Sequence, residues 1–257
     1  PHDVPEMYEA FGMPEFDKMY VKAENDPTIK KTIVDARTLV MDLLKERAET
    51  GRIYIMNIDH CNTHSSFKDK VFMSNLCQEI TLPTKPIQHI DDPDGEIALC
   101  ILSAVNVGNI KLEELEELCD LSVRALEEII DYQNYPVEAA EISTKARRSL
   151  GIGYIGLAHY LAKNKVKYDD KQALKLVDEL TEHFQYYLLK ASNKLAEERG
   201  ACDKFDRTKY ADGQLPIDHY KKEVDELVTR KLKLNWESLR KNIAKHGLRH
   251  STLSAQM

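Results

Sequence analysis

The sequence predicts an α/β fold, in which buried strands lie among long helices. The segment KLEELEELCDLSVRALEEIIDYQ (111–133) has apolar residues at helical spacing and predicts an amphipathic helix. A second long helix is expected over about 170–199, ending at Gly200. Between the N-terminal third and these helices, EIALCILSAVNVG (96–108) is a nearly continuous apolar run, which is typical of a strand buried on both faces.

The N-terminal third is predicted to contain a helix, a strand and a loop. The helix is expected to begin at Asp26-Pro27 and to reach about Thr50, because Asp caps helices and Pro fits the first turn, and Gly51 suits its end. The β-branched and aromatic run RIYIMNI (52–58) predicts a strand. The polar stretch DHCNTHSSFKDK (59–70) predicts a loop.

Other elements are predicted from the same signals. SNLCQEITL (74–82) alternates in character and is predicted to be extended. Helices are expected near 150–163 and over about 235–246, the latter ending at Gly247. No repeat, low-complexity stretch or convincing linker divides the chain.

The composition is that of a soluble globular protein with one large domain or two small ones: 257 residues, 42% hydrophobic. No apolar run approaches the roughly 18 residues of a membrane span. The net charge of −7 disfavours general nucleic-acid binding. Five widely spaced cysteines indicate a reducing, cytoplasmic compartment rather than a secreted disulfide framework. The start at Pro1 suggests a fragment or a processed piece.

Several motifs favour a structural role over a chemical one. GIGYIG (151–156) matches G-x-G-x-x-G, but the polar, basic residues before it are no strand, so close helix packing is favoured over a dinucleotide site. DHCNTH (59–64) has no second ligand cluster, so a polar loop with internal hydrogen bonds is favoured over a metal site. Surface roles are expected for Arg147 and Arg148, although both residues could meet phosphate, and packing or surface roles are expected for Cys119 and Cys202.

The stretch SNLCQEI (74–80) places an amide, a thiol and a carboxylate at every second position. If it is extended, Asn75, Cys77 and Glu79 share one face. On one interpretation Cys77 is a small buried apolar residue and Glu79 faces solvent. On the other, the thiol reacts and the carboxylate two residues away serves as a general base.

Beyond these patterns, the chain resembles the large, catalytic subunit of class I ribonucleotide reductase of the bacterial and phage type. The resemblance runs from end to end. The matching stretches are PHDVPEMYEAF (1–11), TGRIYIMNIDHCNTHSSF (50–67), SNLCQEITLPTKP (74–86), GEIALCILSAVNVG (95–108), LGIGYIGLAHYLAKN (150–164), QYYLLKASNKLAEERGAC (185–202) and HGLRHSTLSAQM (246–257).

The resemblance implies a ten-stranded α/β barrel with a catalytic finger loop, of which residues 1–257 would be the central part. It implies that Cys77 forms a thiyl radical that takes the 3′ hydrogen of a ribonucleoside diphosphate. Glu79 would remove the 3′-hydroxyl proton, Asn75 would hold the substrate hydroxyls, and Cys100 would belong to the redox-active cysteine pair. Residues 75–79, including Leu76 and Gln78, would form the substrate-binding loop.

The resemblance also implies parts that this sequence does not contain. The second redox cysteine and the regulatory regions that bind ATP and deoxynucleotide effectors are expected upstream of Pro1. The phosphate-binding loop, the radical-transfer tyrosines and the shuttle cysteines are expected beyond Met257. No metal or cofactor is expected in this segment. The implied partners are the rest of the large subunit, a metal-containing small subunit that supplies the radical, and thioredoxin or glutaredoxin, in the cytoplasm or in the host cytoplasm of a phage.

Two other classes of function stay open. One is an assembly or binding module that keeps the fold without the chemistry, which the presence of Asn75, Cys77, Glu79 and Cys100 disfavours. The other is a dithiol oxidoreductase unrelated to nucleotides, which would want a CxxC pair that the sequence lacks.

Overall fold

The computed structural model describes residues 3–227 and 231–254. The first two residues of the stretch 1–11 and the last three of the stretch 246–257 lie outside the described residues. Two strands and a series of α-helices follow one another along the chain. They are α1 (Met7–Ala10), α2 (Pro14–Asn25), α3 (Ala36–Thr50), α4 (Ile58–His64), β1 (Ile101–Asn106), α5 (Leu115–Tyr132), α6 (Glu138–Arg147), β2 (Leu150–Ile155), α7 (Leu157–Lys163), α8 (Lys171–Arg199) and α9 (Trp236–His246).

The two strands form a parallel pair that the helices α5 and α6 connect. The register runs from Ile101 opposite Leu150 to Asn106 opposite Ile155. The segment 252–254 continues the sheet beside β2, because Leu150 and Ile152 donate backbone hydrogen bonds to the carbonyls of Thr252 and Leu253. This mixed arrangement with parallel strands agrees with the predicted α/β class.

The main hydrophobic core lies between this sheet and the helices α5, α8 and α9. Helix α5 packs along α8, and α9 packs against α8 in turn. The predicted apolar stripe of α5 is the face that enters this core. Among the fully buried side chains are Leu115, Ile130, Leu150, Leu188, Leu195 and Ile243.

Charged side chains are buried beside this core. Glu127 of α5 accepts hydrogen bonds from Arg148 (2.8 Å), Arg249 (2.7 Å) and His250 (3.0 Å). The imidazole of His250 also pairs with the hydroxyl of Ser192 on α8 (2.9 Å). This group, which we call the Glu127 cluster, fastens the C-terminal segment to α5 and α8.

The predicted helix over 26–50 is wrong at its start. Residues 26–35 are not helical, and α3 begins after Asp35, whose carboxylate accepts a hydrogen bond from the backbone of Thr38 (2.7 Å). The stretch 28–34 is rich in β-branched residues, which lowers its helix propensity. The predicted end is confirmed, because Gly51 adopts the left-handed conformation that ends α3.

Three other local predictions are also wrong. Residues 52–57 are not paired into a strand among the described residues, although their composition favours one. The predicted loop 59–70 begins inside α4. The predicted helix near 150–163 consists of β2 followed by α7, so GIGYI (151–155) belongs to a strand, buried at 151–153, rather than to a helix packing site. Gly156 then turns the chain with φ +77°, where a Cβ would clash with Asn106.

The apolar run 96–108 forms a shorter strand than predicted. Only residues 101–106 are in β1, and Leu99 and Leu102 are exposed. Burial on both faces is therefore wrong for the described residues. The helices predicted to end at Gly200 and Gly247 are confirmed as α8 and α9.

Candidate functional site

Residues 74–81 form a tight hairpin rather than the predicted extended segment. Ser74 and Thr81 face each other in an antiparallel bridge. Gln78 donates a backbone hydrogen bond to the carbonyl of Asn75 (3.2 Å) and has φ +59°. The side chain of Asn75 accepts from the backbone of Ile80 (3.3 Å), so it braces the turn. Alternation of Asn75, Cys77 and Glu79 onto one face is therefore wrong.

The turn places Cys77 at its exposed tip. The thiol of Cys77 is free and solvent-accessible, and the neighbouring Leu76 is almost fully exposed. The base of the hairpin is apolar, because Ile80 and Leu82 pack with Phe67 and Val71. The sequence thus forms a projecting loop on a buried anchor, with the thiol at its end.

Glu79 and Cys100 lie close together at the base of this hairpin. Cys100 directly precedes β1 and packs against the apolar anchor. Burial, together with the nearby carboxylate of Glu79, raises the pKa of the Cys100 thiol to about 12. Cys100 is therefore a protonated thiol at neutral pH. It is free, as are Cys61, Cys77, Cys119 and Cys202.

A cavity of about 260 Å³ lies beside Glu79. Its opposite wall comes from α8 and from the segment that continues the sheet, through Gln185, Thr252 and Ser254. Glu79 Oε2 and Nε2 of His219, which also lines the cavity, are both inaccessible to solvent and have no hydrogen-bond partner among the described residues. A polar ligand in this space could satisfy such atoms.

The sequence motifs did not point to this opposite wall. Gln185, Thr252 and Ser254 come from parts of the chain more than one hundred positions from Glu79, and only the fold brings them to it. The alternation of Thr252 and Ser254, typical of an extended segment, was the one local signal available.

The expected surface positions of Arg147 and Arg148 are wrong, because both side chains are buried. Arg147 is 3% exposed and Arg148 is 4% exposed. Each is matched by two carboxylates, since a buried guanidinium without partners would be strongly unfavourable. The expected packing roles of Cys119 and Cys202 agree with their burial in the structure.

The DHCNTH motif brings two rings together without forming a recognisable metal centre. His60 and His64 stack edge to face on α4, with ring centroids 5.9 Å apart. Across residues 3–227 and 231–254, no group of three or more His, Cys, Asp or Glu side chains is arranged to hold a metal ion. Over the same residues, no helix combines the length and the apolar character that crossing a bilayer requires.

Comparison with known proteins gives a consistent result over the whole chain. The family model described as "Ribonucleotide reductase, barrel domain" matches residues 1–257. The chain is 58% identical to the ribonucleoside-diphosphate reductase subunit alpha of Haemophilus influenzae and 53% identical to ribonucleoside-diphosphate reductase 1 subunit alpha of Escherichia coli, and both alignments cover 100% of the chain. The corresponding phage T4 subunit is 42% identical over 94% of the chain.

The chain covers 35% of the H. influenzae and E. coli proteins and 32% of the T4 protein, so it spans about a third of the length of these curated relatives. Within that third the match is complete and includes the hairpin, β1 and β2. The chain therefore belongs to the ribonucleotide reductase family and matches the barrel domain of its large subunit.

Proposed function

We propose that this chain is the segment of a ribonucleoside-diphosphate reductase large subunit that contains the radical-forming cysteine. The observation on which this rests is the hairpin 74–81, which presents a free thiol at its tip while Glu79 lines a cavity and lies beside Cys100. A non-catalytic assembly module would not need this juxtaposition of an exposed thiol, a carboxylate and a protonated thiol.

In this proposal the residues of the chain divide the reaction between them. Cys77, as a thiyl radical, takes the hydrogen atom from C3′ of a ribonucleoside diphosphate, and Glu79 accepts the proton of the 3′-hydroxyl. The 2′-hydroxyl then leaves as water, and after the reduction the thiol of Cys77 returns its hydrogen atom to C3′, which restores the thiyl radical. Replacing that hydroxyl by hydrogen requires two electrons and two protons, which Cys100 and a second thiol supply as they form a disulfide.

The environment of each group supports its proposed role. A thiol with a pKa of about 12 keeps its proton, so Cys100 suits donation to the sugar better than nucleophilic attack. One carboxylate oxygen of Glu79 is an unused hydrogen-bond acceptor, which a substrate hydroxyl would satisfy. Asn75, Leu76 and Gln78 shape the turn and would contact the substrate, although Asn75 also braces the hairpin.

The remaining components lie outside the described residues. Members of this family work with a separate subunit that generates the radical, so no metal is needed among these residues for hydrogen abstraction. We propose that thioredoxin or glutaredoxin reduces the disulfide, that ATP and deoxynucleotides regulate other parts of the subunit, and that the enzyme acts in the cytoplasm.

The test is to graft this segment into the H. influenzae alpha subunit in place of its 58% identical counterpart and to measure reduction of cytidine diphosphate with the radical-generating subunit. The grafted enzyme should be active. Cys77→Ser should abolish activity, since a hydroxyl does not form a comparable radical, and Glu79→Gln should lower kcat by about 10²–10⁴-fold. Cys61→Ser is the control and should retain activity.

A folded but inactive graft, or a Cys77→Ser variant that turns over, would contradict the proposal and favour the assembly module. The role of Cys100 has its own readout. After one turnover without external reductant, peptide mapping should find Cys100 in a disulfide with a thiol outside this chain. A bridge between Cys100 and any of the four other cysteines of the chain would contradict that assignment.

A further inference from the structure

We infer that Arg147 is a positioning residue that closes the catalytic loop at both ends, an inference that rests on the proposed function of Cys77 and Glu79. The loop in question, which we call the 69–96 loop, begins at Asp69 and ends at Glu96 and contains the hairpin 74–81. Arg147 lies far from both ends in sequence, at the last position of α6.

One guanidinium reaches both ends of this loop. Nε of Arg147 donates to Oε2 of Glu96 at 2.8 Å, and Nη2 donates to Oδ2 of Asp69 at 2.9 Å. The contact with Glu96 is buried, since Arg147 is 3% exposed and Glu96 is 5% exposed, and the contact with Asp69 is partly buried. The planar fork of arginine suits such a bridge, because its donors are held in a fixed geometry.

Further contacts hold each end of the 69–96 loop. At the entry, Arg207 also donates to Asp69 (2.9 Å), and Phe67 bridges to Thr208. At the exit, Lys85 and Glu96 exchange backbone hydrogen bonds. Burial raises the pKa of Asp69 and of Glu96. Hydrogen bonds from Arg207 and Arg147 to Asp69 outweigh this effect, and so does the hydrogen bond from Arg147 to Glu96. Both pKa values therefore lie below their ordinary range. Both carboxylates are therefore charged and hold the guanidinium at neutral pH.

The position of this bridge relative to the site gives it a consequence for catalysis. Asp69 precedes Cys77 by eight positions and Glu96 precedes Cys100 by four, so the bridge fixes the stem of the hairpin relative to the start of β1. Hydrogen abstraction depends steeply on the placement of the reacting sulfur, and a displacement of about 1 Å in a catalytic group can cost on the order of 10²-fold in rate.

Arg148 provides a matched control at the adjacent position. It is equally buried and also bridges two carboxylates, Glu127 at 2.8 Å and Asp131 at 2.7 Å. Its partners lie on α5 and not in the 69–96 loop. Loss of its fork should therefore weaken the fold by a similar amount without moving the hairpin.

The experiment compares Arg147→Lys with Arg148→Lys in the grafted H. influenzae subunit. Lysine keeps the charge but cannot hold two carboxylates in one plane. Arg147→Lys should lower kcat by about 10- to 100-fold with KM within about threefold, and it should speed amide exchange across 70–95. Arg148→Lys should lower Tm comparably, with a smaller loss of kcat than Arg147→Lys and no change in amide exchange across 70–95.

The inference is overturned if both variants lower kcat by the same factor, or if Arg147→Lys leaves both kcat and the exchange of residues 70–95 unchanged. If Arg147→Lys does not yield folded protein, Asp69→Asn is measured in its place, because this change releases only one end of the 69–96 loop from Arg147. An unchanged kcat in that variant overturns the inference. The exchange measurement reports on the bridge even if Cys77 proves not to be the radical residue, so the two proposals fail separately.

Discussion

The region of α5, α8 and α9 buries the apolar faces of its helices in one core, whereas in the region of α2, α3 and α4 most large apolar side chains are exposed. Leu188 of α8 is 0% exposed, and Leu39 of α3 is 57% exposed, although both occupy the apolar stripe of a long helix. The helices α2, α3 and α4 contain no buried residue. The two regions differ in their packing partners, and the apolar face of α3 is also less sharply segregated than that of α5 or α8.

This difference shows what a periodic pattern can and cannot specify. The pattern fixes which face of a helix is apolar, but the packing partner decides whether that face is buried. For α5 the partners α8 and β1 lie within the described residues. For α3, with about two thirds of the relatives' length outside the chain, we expect that other parts of a large subunit cover the exposed stripe.

The largest effect should come from removing the charge at the centre of the Glu127 cluster. Glu127→Gln leaves Arg148 and Arg249 without their shared carboxylate, and breaking a buried ion pair in this way costs about 3–5 kcal/mol. Glu128→Gln is the matched control on the next residue, since the Glu128 side chain is exposed and forms a surface ion pair with Arg199. This change should cost no more than about 1 kcal/mol.

Pulse proteolysis in urea measures both variants at protein concentrations low enough to limit association. Equal shifts of the urea midpoint for Glu127→Gln and Glu128→Gln would mean that the Glu127 cluster does not stabilise the packing of the C-terminal segment on α5 and α8.

The same interactions should make this region sensitive to acid. Burial raises the pKa of Glu127, but hydrogen bonds from His250, Arg148 and Arg249 outweigh it, so the folded pKa lies well below the ordinary 4.5. A carboxyl with a depressed pKa stabilises the folded state fully above its unfolded pKa, and this contribution is lost as pH falls toward the folded value. The difference in urea midpoint between the wild type and Glu127→Gln should therefore be constant near neutral pH and narrow below about 4.5.

Protonation of His250 also affects how the stability of the folded state changes with pH. Burial lowers the pKa of its imidazole, so the neutral ring donates from Nε2 to Glu127 and accepts from Ser192 at Nδ1. The folded state thus resists taking up a proton that the unfolded chain binds below about 6.5. A midpoint difference between wild type and Glu127→Gln that does not change from pH 7 to pH 3 would contradict this account.

The comparison of the two regions is tested directly by truncating one leucine in each. Leu188→Ala should cost about 2–5 kcal/mol because it leaves a cavity in a closed core. Leu39→Ala in the isolated chain should change stability by no more than about 0.5 kcal/mol, because the side chain is already exposed. In the grafted subunit, Leu39→Ala should cost more if other parts of the barrel cover α3. Equal costs for Leu39→Ala in both settings would mean that α3 stays exposed.

The sequence predicted best where local signals and packing agree. The amphipathic pattern of α5 and the glycines that end α3, α8 and α9 specify those elements without knowledge of the rest of the chain. The prediction is wrong for residues 150–155, where an apolar segment between two helices becomes β2 because β1 lies beside it. Such pairing depends on residues about fifty positions away, which no local pattern reveals.

The candidate site was predicted in its residues and not in its geometry. Cys77, Glu79 and Cys100 were identified, but the extended interpretation could not show that Gln78 adopts a left-handed conformation and turns the chain. The opposite wall of the cavity and the buried partners of Arg147 depend on contacts distant in sequence.

The smallest effect concerns the start of α3, where the sequence predicted a helix cap at Asp26 and the structure has the cap at Asp35. Asp35 accepts from the backbone nitrogen of Thr38 and has the extended conformation of a cap, whereas Asp26 accepts from Thr28 and ends α2. Hydrogen bonds from Thr38 hold the pKa of Asp35 below its ordinary value, so its carboxylate is charged at neutral pH.

Loss of a cap frays mainly the first turn, since the later backbone bonds of the helix stay in place. Asp35→Ala should therefore speed amide exchange by roughly two- to tenfold in residues 36–40, while Asp26→Ala should leave the exchange of α3 unchanged. Exchange followed residue by residue by NMR or mass spectrometry distinguishes the two variants. Faster exchange across 27–50 in Asp26→Ala would restore the single helix from Asp26 to Thr50 that the sequence predicted, because only a helix beginning at Asp26 would be uncapped by that change.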